Sequence, residues 1–94
     1  MRIVILELSD EMDQYYEDIK QFLDLMVHKL HKNVHKGRWE GMDARKAFRL
    51  LLDETDELNE SLREGDLENI YLECADVANF AMIIASIVRV RKNE

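Results

Sequence analysis

The residues of this chain best suited to chemistry are carboxylates at short helical spacing: Glu54-Thr55-Asp56-Glu57, then fifteen residues, then Glu73-Cys74-Ala75-Asp76. Acids three apart share one face of a helix. On a helical wheel Glu54 and Glu57 fall beside Phe48, Leu51, Thr55, Leu58 and Leu62, the expected core stripe, and so sit at the edge of a core. Glu73 and Asp76 share a face with Leu72, Asn79 and Ile83 at the start of the most apolar stretch of the chain. A carboxylate taken out of water needs a cation or several hydrogen bonds. Four of them meeting across a helical hairpin form a hard-oxygen site suited to Mg²⁺ or Mn²⁺, with water completing the octahedron. Asp56, Glu60, Glu64 and Glu68, by contrast, read as an ordinary solvated helix surface.

A metal site that works on phosphate also needs positive charge, and the chain concentrates it. Residues 28 to 38 carry Lys29, Lys32, Lys36 and Arg38 and no acid, in a protein of net charge −7. Lys36 and Arg38 lie in the glycine-containing connection and are the stronger candidates for phosphate contact. The group as a whole also reads as bases set against a helix C-terminus. Trp39, the only tryptophan, offers a face for stacking on a nucleobase, and equally the bulk for a core or interface contact. Asn79, one turn beyond Asp76, is placed to bond a sugar or a base. Asp53 and Glu54 are the candidates to take a proton from an attacking water. His28, His31 and His35 have a spacing that can gather a transition metal, but interspersed lysines and the lack of an adjacent carboxylate pattern make them surface residues.

The elements that must carry these groups follow from few breakers: no proline and three glycines. Ser9 or Asp10 caps a first helix with acids in its first turn and Tyr15, Ile19, Phe22, Met26 and Leu30 at helical spacing, running to about Val34. Residues 35 to 42 connect it to a second helix, which starts at the cap Asp43 and stops at Gly65. Asp66 caps a third, ending near Lys92 with Arg89, Arg91 and Lys92 against its dipole. The two or three residues between the second and third helices force an antiparallel hairpin. Residues 2 to 8 fit a short strand, a helix extension or an arm on a partner. After Asp76 the third helix is apolar nearly all round, which predicts burial on every side. Three helices cannot cover it, so the expectation is an all-α chain, a hairpin plus an N-terminal helix, that completes a four-helix bundle in a homodimer or homotetramer.

Composition narrows the function classes. Twenty acids against thirteen bases disfavour wholesale nucleic-acid binding. Cys74 has no partner for an intrachain disulfide and is expected as a small buried hydrophobe. The run Ile3-Val4-Ile5-Leu6 is too short for a signal-peptide core, and the apolar stretch Val77 to Val88 is too short for a bilayer span. The expectation is a single soluble, cytoplasmic domain over residues 1–94, with no membrane contact.

From residue 36 to about 84 the chain resembles the MazG-like family of all-α nucleoside triphosphate pyrophosphatases, itself similar in fold to the dimeric dUTPases and the phosphoribosyl-ATP pyrophosphatases. The resemblance rests on Lys36-Gly37-Arg38-Trp39, on Leu51-Leu52-Asp53-Glu54-Thr55-Asp56-Glu57-Leu58 and on Glu73-Cys74-Ala75-Asp76-Val77-Ala78-Asn79. It implies Mg²⁺ ligands at Glu54, Glu57, Glu73 and Asp76, and hydrolysis of a nucleoside triphosphate between its α and β phosphates to a monophosphate and pyrophosphate. Many relatives carry a glutamate just before the first ligand, where this chain has Asp53. Two other readings stand beside it: a phosphoribosyl-ATP pyrophosphatase-like enzyme with the same site, and a non-enzymatic helical oligomerisation or regulatory module that binds a basic partner through its acidic face.

Overall fold

Three α-helices and one 3-10 segment make up all the regular structure of the computed structural model, which describes residues 2–3, 6–33, 36–39 and 41–93; no strand occurs among them. Val34, expected to end the first helix, His35 of the histidine trio, and Val4 and Ile5 of the N-terminal apolar run lie outside the described residues.

Three of the four helical segments start where a short polar side chain can satisfy an amide of the first turn. Ser9 Oγ accepts from the Met12 amide at 3.3 Å, Asp43 Oδ1 from Lys46 at 2.7 Å and Asp66 Oδ1 from Asn69 at 3.2 Å. The first helix departs from expectation at both ends. Asp10–Tyr15 winds as a 3-10 helix before α1, Tyr16–Lys32, takes over, a common way for a helix to begin. Asn33 closes α1 by donating its side-chain amide to the Lys29 carbonyl at 3.0 Å. Helix α2, Ala44–Glu64, ends at Gly65, whose φ of 69° is the left-handed turn that permits α3, Leu67–Lys92, to fold back.

α3 is the central element. It packs on α2 and on α1, while among the described residues no Cα atom of α1 comes within 8 Å of one in α2. The result is an open arrangement with a cleft between α1 and α2, floored by α3. Its buried positions are few: Leu25 on α1, Ala47 and Ser61 on α2, and Ala75, Asn79 and Ile83 on α3.

The α2 stripe is corrected by the structure. Leu51 and Leu58 face inward, but Phe48 is 50% and Leu62 57% exposed, and Thr55 is exposed too. The helix is turned by roughly a quarter of a turn from its apolar centre, so Ser61 and Glu54 lie toward α3 and Phe48 and Leu62 lie outside. Tyr15 likewise is exposed, and Leu25 takes the most buried place on α1. Cys74 is half-buried rather than buried.

α3 is not covered on every side either: Tyr71, Ala81, Ala85 and Val88 are exposed. Taken whole, it is long and apolar enough by length and composition to cross a membrane, which the shorter run Val77–Val88 did not suggest. The core helix of a soluble protein meets the same criterion, and here Glu73, Asp76 and Asn79 lie on the side that packs against α1 and α2. The chain exposes 7839 Å², against about 5,700 Å² for a globular monomer of its mass. Its radius of gyration is 15.1 Å, against about 12 Å for a compact domain of this length.

Candidate metal centre and adjoining cavity

The turn of α2 that exposes Phe48 brings Glu54 against α3. One carboxylate oxygen from each of Glu54, Glu57 and Glu73 lies within 4.8 Å of the other two. Glu54 Oε2 and Glu73 Oε2 are buried with no hydrogen-bond partner as carboxylates, a costly state for ionised oxygens. Burial, then the adjoining carboxyl groups of Glu73 and Glu57, then the charges of Glu57 and Asp76, push the Glu54 carboxyl up from 4.5 to about 8. Glu73 is raised as well, mainly by burial and by the charges of Glu57 and Asp76, with Glu54 and Lys29 acting in the opposite sense. Three acids this close together favour retention of a proton that a divalent cation can replace. Hard oxygen donors, two of them buried without a partner, are of the chemical kind that Mg²⁺ or Mn²⁺ binds.

Asp76, the fourth expected ligand, stands apart from this cluster. Its Oδ2 is 3.1 Å from Lys29 Nζ, and both side chains are only 18% exposed. Glu54 and Asp76 also border a cavity of about 660 Å³, within the range of small-molecule sites. α1 and its capping residue contribute Lys29, Leu30 and Asn33 to it, the connection contributes Lys36, Gly37, Arg38, Trp39 and Met42, and α3 contributes Asn79, Phe80 and Ile83. The Arg38 guanidinium lies 4.8 Å from the centre of the Trp39 ring. The side-chain amide of Asn79 donates to the Met26 carbonyl at 3.1 Å, which fixes its orientation and leaves Oδ1 buried as an unpartnered acceptor.

Lys36, Arg38, Trp39 and Asn79 thus come together around one cavity with Glu54 and Asp76, while Glu57 and Glu73 complete the cluster behind Glu54. Asp53 joins neither group and is exposed, because one step along a helix turns a side chain about 100° away from its neighbour. Asp56, Glu60, Glu64 and Glu68 are solvated, as their spacing suggested, and His28 and His31 are exposed. Lys29 and Phe80 also line the cavity, although residue type alone does not single them out. The signal was present for Lys29, which follows Met26 by three residues and Phe22 by seven and so shares the inward stripe of α1. Compared with protein-family models, with curated proteins and with solved structures, the chain matches none.

Proposed function

We propose that the chain is a Mg²⁺-dependent nucleoside triphosphate pyrophosphohydrolase of the MazG-like kind, converting a (d)NTP to the (d)NMP and pyrophosphate as a homo-oligomer. The observation that carries this reading is the glutamate cluster with its two orphaned oxygens, opening through Glu54 onto a cavity rimmed by cations and aromatic rings.

Glu54, Glu57 and Glu73 would hold the cation, with Asp76 as a fourth ligand; Mn²⁺ suits the same donors. When bound, such an ion neutralises phosphate oxygens and lowers the pKa of water. The remaining work belongs to the chain. Lys36 and Arg38 counter the charge of the polyphosphate, which a protein of net charge −7 must otherwise repel. Trp39 and Phe80 present apolar faces to a base. Asn79 Oδ1, locked as an acceptor, selects a hydrogen-bond donor such as a sugar hydroxyl or a ring amino group. Glu54 borders both the cluster and the cavity and is better situated than exposed Asp53 to accept a proton from water.

Oligomerisation is supported by the surface left uncovered. The chain shows about 2,000 Å² more than a monomer of its mass should, and Phe48, Leu52 and Leu62 on α2 and Tyr71 and Val88 on α3 contribute apolar area to it. Ala81 and Ala85 leave room for a second helix to approach α3 closely, in keeping with a four-helix bundle.

The test is a panel of nucleoside triphosphates, with phosphoribosyl-ATP included, assayed for pyrophosphate with and without Mg²⁺. Mg²⁺-dependent release from at least one of them is expected. If none is cleaved and Mg²⁺ with a non-hydrolysable triphosphate leaves the melting temperature unchanged, the oligomerisation or regulatory module becomes the better description.

A further inference from the structure

Of the four carboxylates expected to bind the cation, Asp76 alone already has a cation. Its partner is Lys29 of α1, at 3.1 Å and mostly shielded from water, and Lys29 lines the same cavity as Lys36 and Arg38. A carboxylate in this position cannot be left bare, so something must neutralise Asp76 whenever no metal does. A lysine suits that role because its ammonium is a compact charge on a flexible four-carbon stem that can be redirected without moving the helix.

We infer that Lys29 is a displaceable counter-cation that holds Asp76 in the metal-free site and turns toward the substrate's phosphates when a divalent cation takes Asp76 over. The inference rests on reading the glutamate cluster as a metal site. Two consequences follow from competition for one carboxylate. Lys29 weakens metal binding in the absence of substrate, both by occupying Asp76 and by repelling a second positive charge. A polyphosphate that offers the displaced ammonium a new anionic partner strengthens metal binding, so metal and substrate bind with positive coupling.

The test is a calorimetric Mn²⁺ titration of the nucleotide-free protein, repeated for Lys29→Met, Lys29→Arg and Glu73→Gln. Lys29→Met should bind Mn²⁺ about tenfold more tightly, equivalent to about 1.4 kcal/mol, while Lys29→Arg, which keeps the charge, stays close to wild type. Unchanged or weaker binding by a folded Lys29→Met protein overturns the role of Lys29 and leaves the metal site standing. Absence of Mn²⁺ binding in the wild type, or binding that survives Glu73→Gln, overturns the metal reading and this inference with it. Should Lys29→Met fail to fold, the nitrogen resonance of the wild-type Lys29 ammonium decides: it should shift on saturation with Mg²⁺, and a resonance that does not move refutes displacement.

Discussion

Replacing Glu54 by glutamine should stabilise the metal-free protein at alkaline pH and remove its response to Mg²⁺. The Glu54 carboxyl is raised from 4.5 to about 8, chiefly by burial and then by Glu73 and Glu57. In the unfolded chain it ionises near its ordinary value, whereas the folded chain holds its proton until about pH 8. Stability from this group is therefore greatest below the unfolded pKa, falls as the pH climbs between the two values, and is fully lost above the upper one. The whole interval would correspond to about 5 kcal/mol. Because Glu54 keeps some contact with solvent, a discounted figure of about 1–2 kcal/mol is appropriate. For a domain of this size that is a rise of roughly 5–15 °C in melting temperature. Glutamine mimics the protonated acid, so the variant should match wild type near about pH 5 and exceed it near about pH 8.5 in the presence of a chelator. Added Mg²⁺ should raise the wild type at alkaline pH and leave Glu54→Gln unmoved. Thermal melts across this range, with and without Mg²⁺, are sufficient. A chelated wild type whose melting temperature does not fall between the two pH values, or a glutamine variant that is not stabilised at the upper one, would refute the reasoning.

Glu73→Gln should lower pyrophosphate release by about 100-fold or more, the scale of losses at metal-site residues, while circular dichroism shows unchanged helix content; full activity would count against the assignment. Asn79→Ala removes the tie between α3 and the Met26 carbonyl and should cost about 1–3 kcal/mol in urea denaturation. Asn79→Asp should cost more, since it sets a carboxylate oxygen against that carbonyl. Gly65→Ala meets open space at its Cβ, so only the strain of the left-handed backbone remains, about 1 kcal/mol, measurable as a shift in the denaturation midpoint. Phe48→Asp places a charge in the exposed apolar face of α2 and, on the proposed homo-oligomer, should shift gel filtration at low micromolar concentration toward a smaller species; an unchanged elution volume would exclude that face from the proposed interface.

Much of the local structure was legible from residue types alone, because a helix end is decided by short-range contacts. Ser9, Asp43 and Asp66 each accept the amide hydrogen of the residue three positions on, and Gly65 supplies the left-handed turn. The three-residue spacings Glu54/Glu57 and Glu73/Asp76 likewise determined which acids could share a helix face. Which face turned inward was a different matter. α2 offers apolar and acidic sides about a quarter turn apart, and the large side chains Phe48 and Leu62 advertised the wrong one for a single chain. The α2–α3 hairpin decided it, by setting Ser61 and Glu54 against α3 and leaving Phe48 and Leu62 outward. The same long-range packing separated Asp76 from the three glutamates by giving it Lys29, a residue 47 positions away in the chain. It also moved Asp53 out of the site. Caps and periodicity depend on neighbours within one turn, so sequence determines them; the partner of a buried charge depends on which helix arrives from elsewhere, so only the tertiary structure could assign Asp76 its lysine.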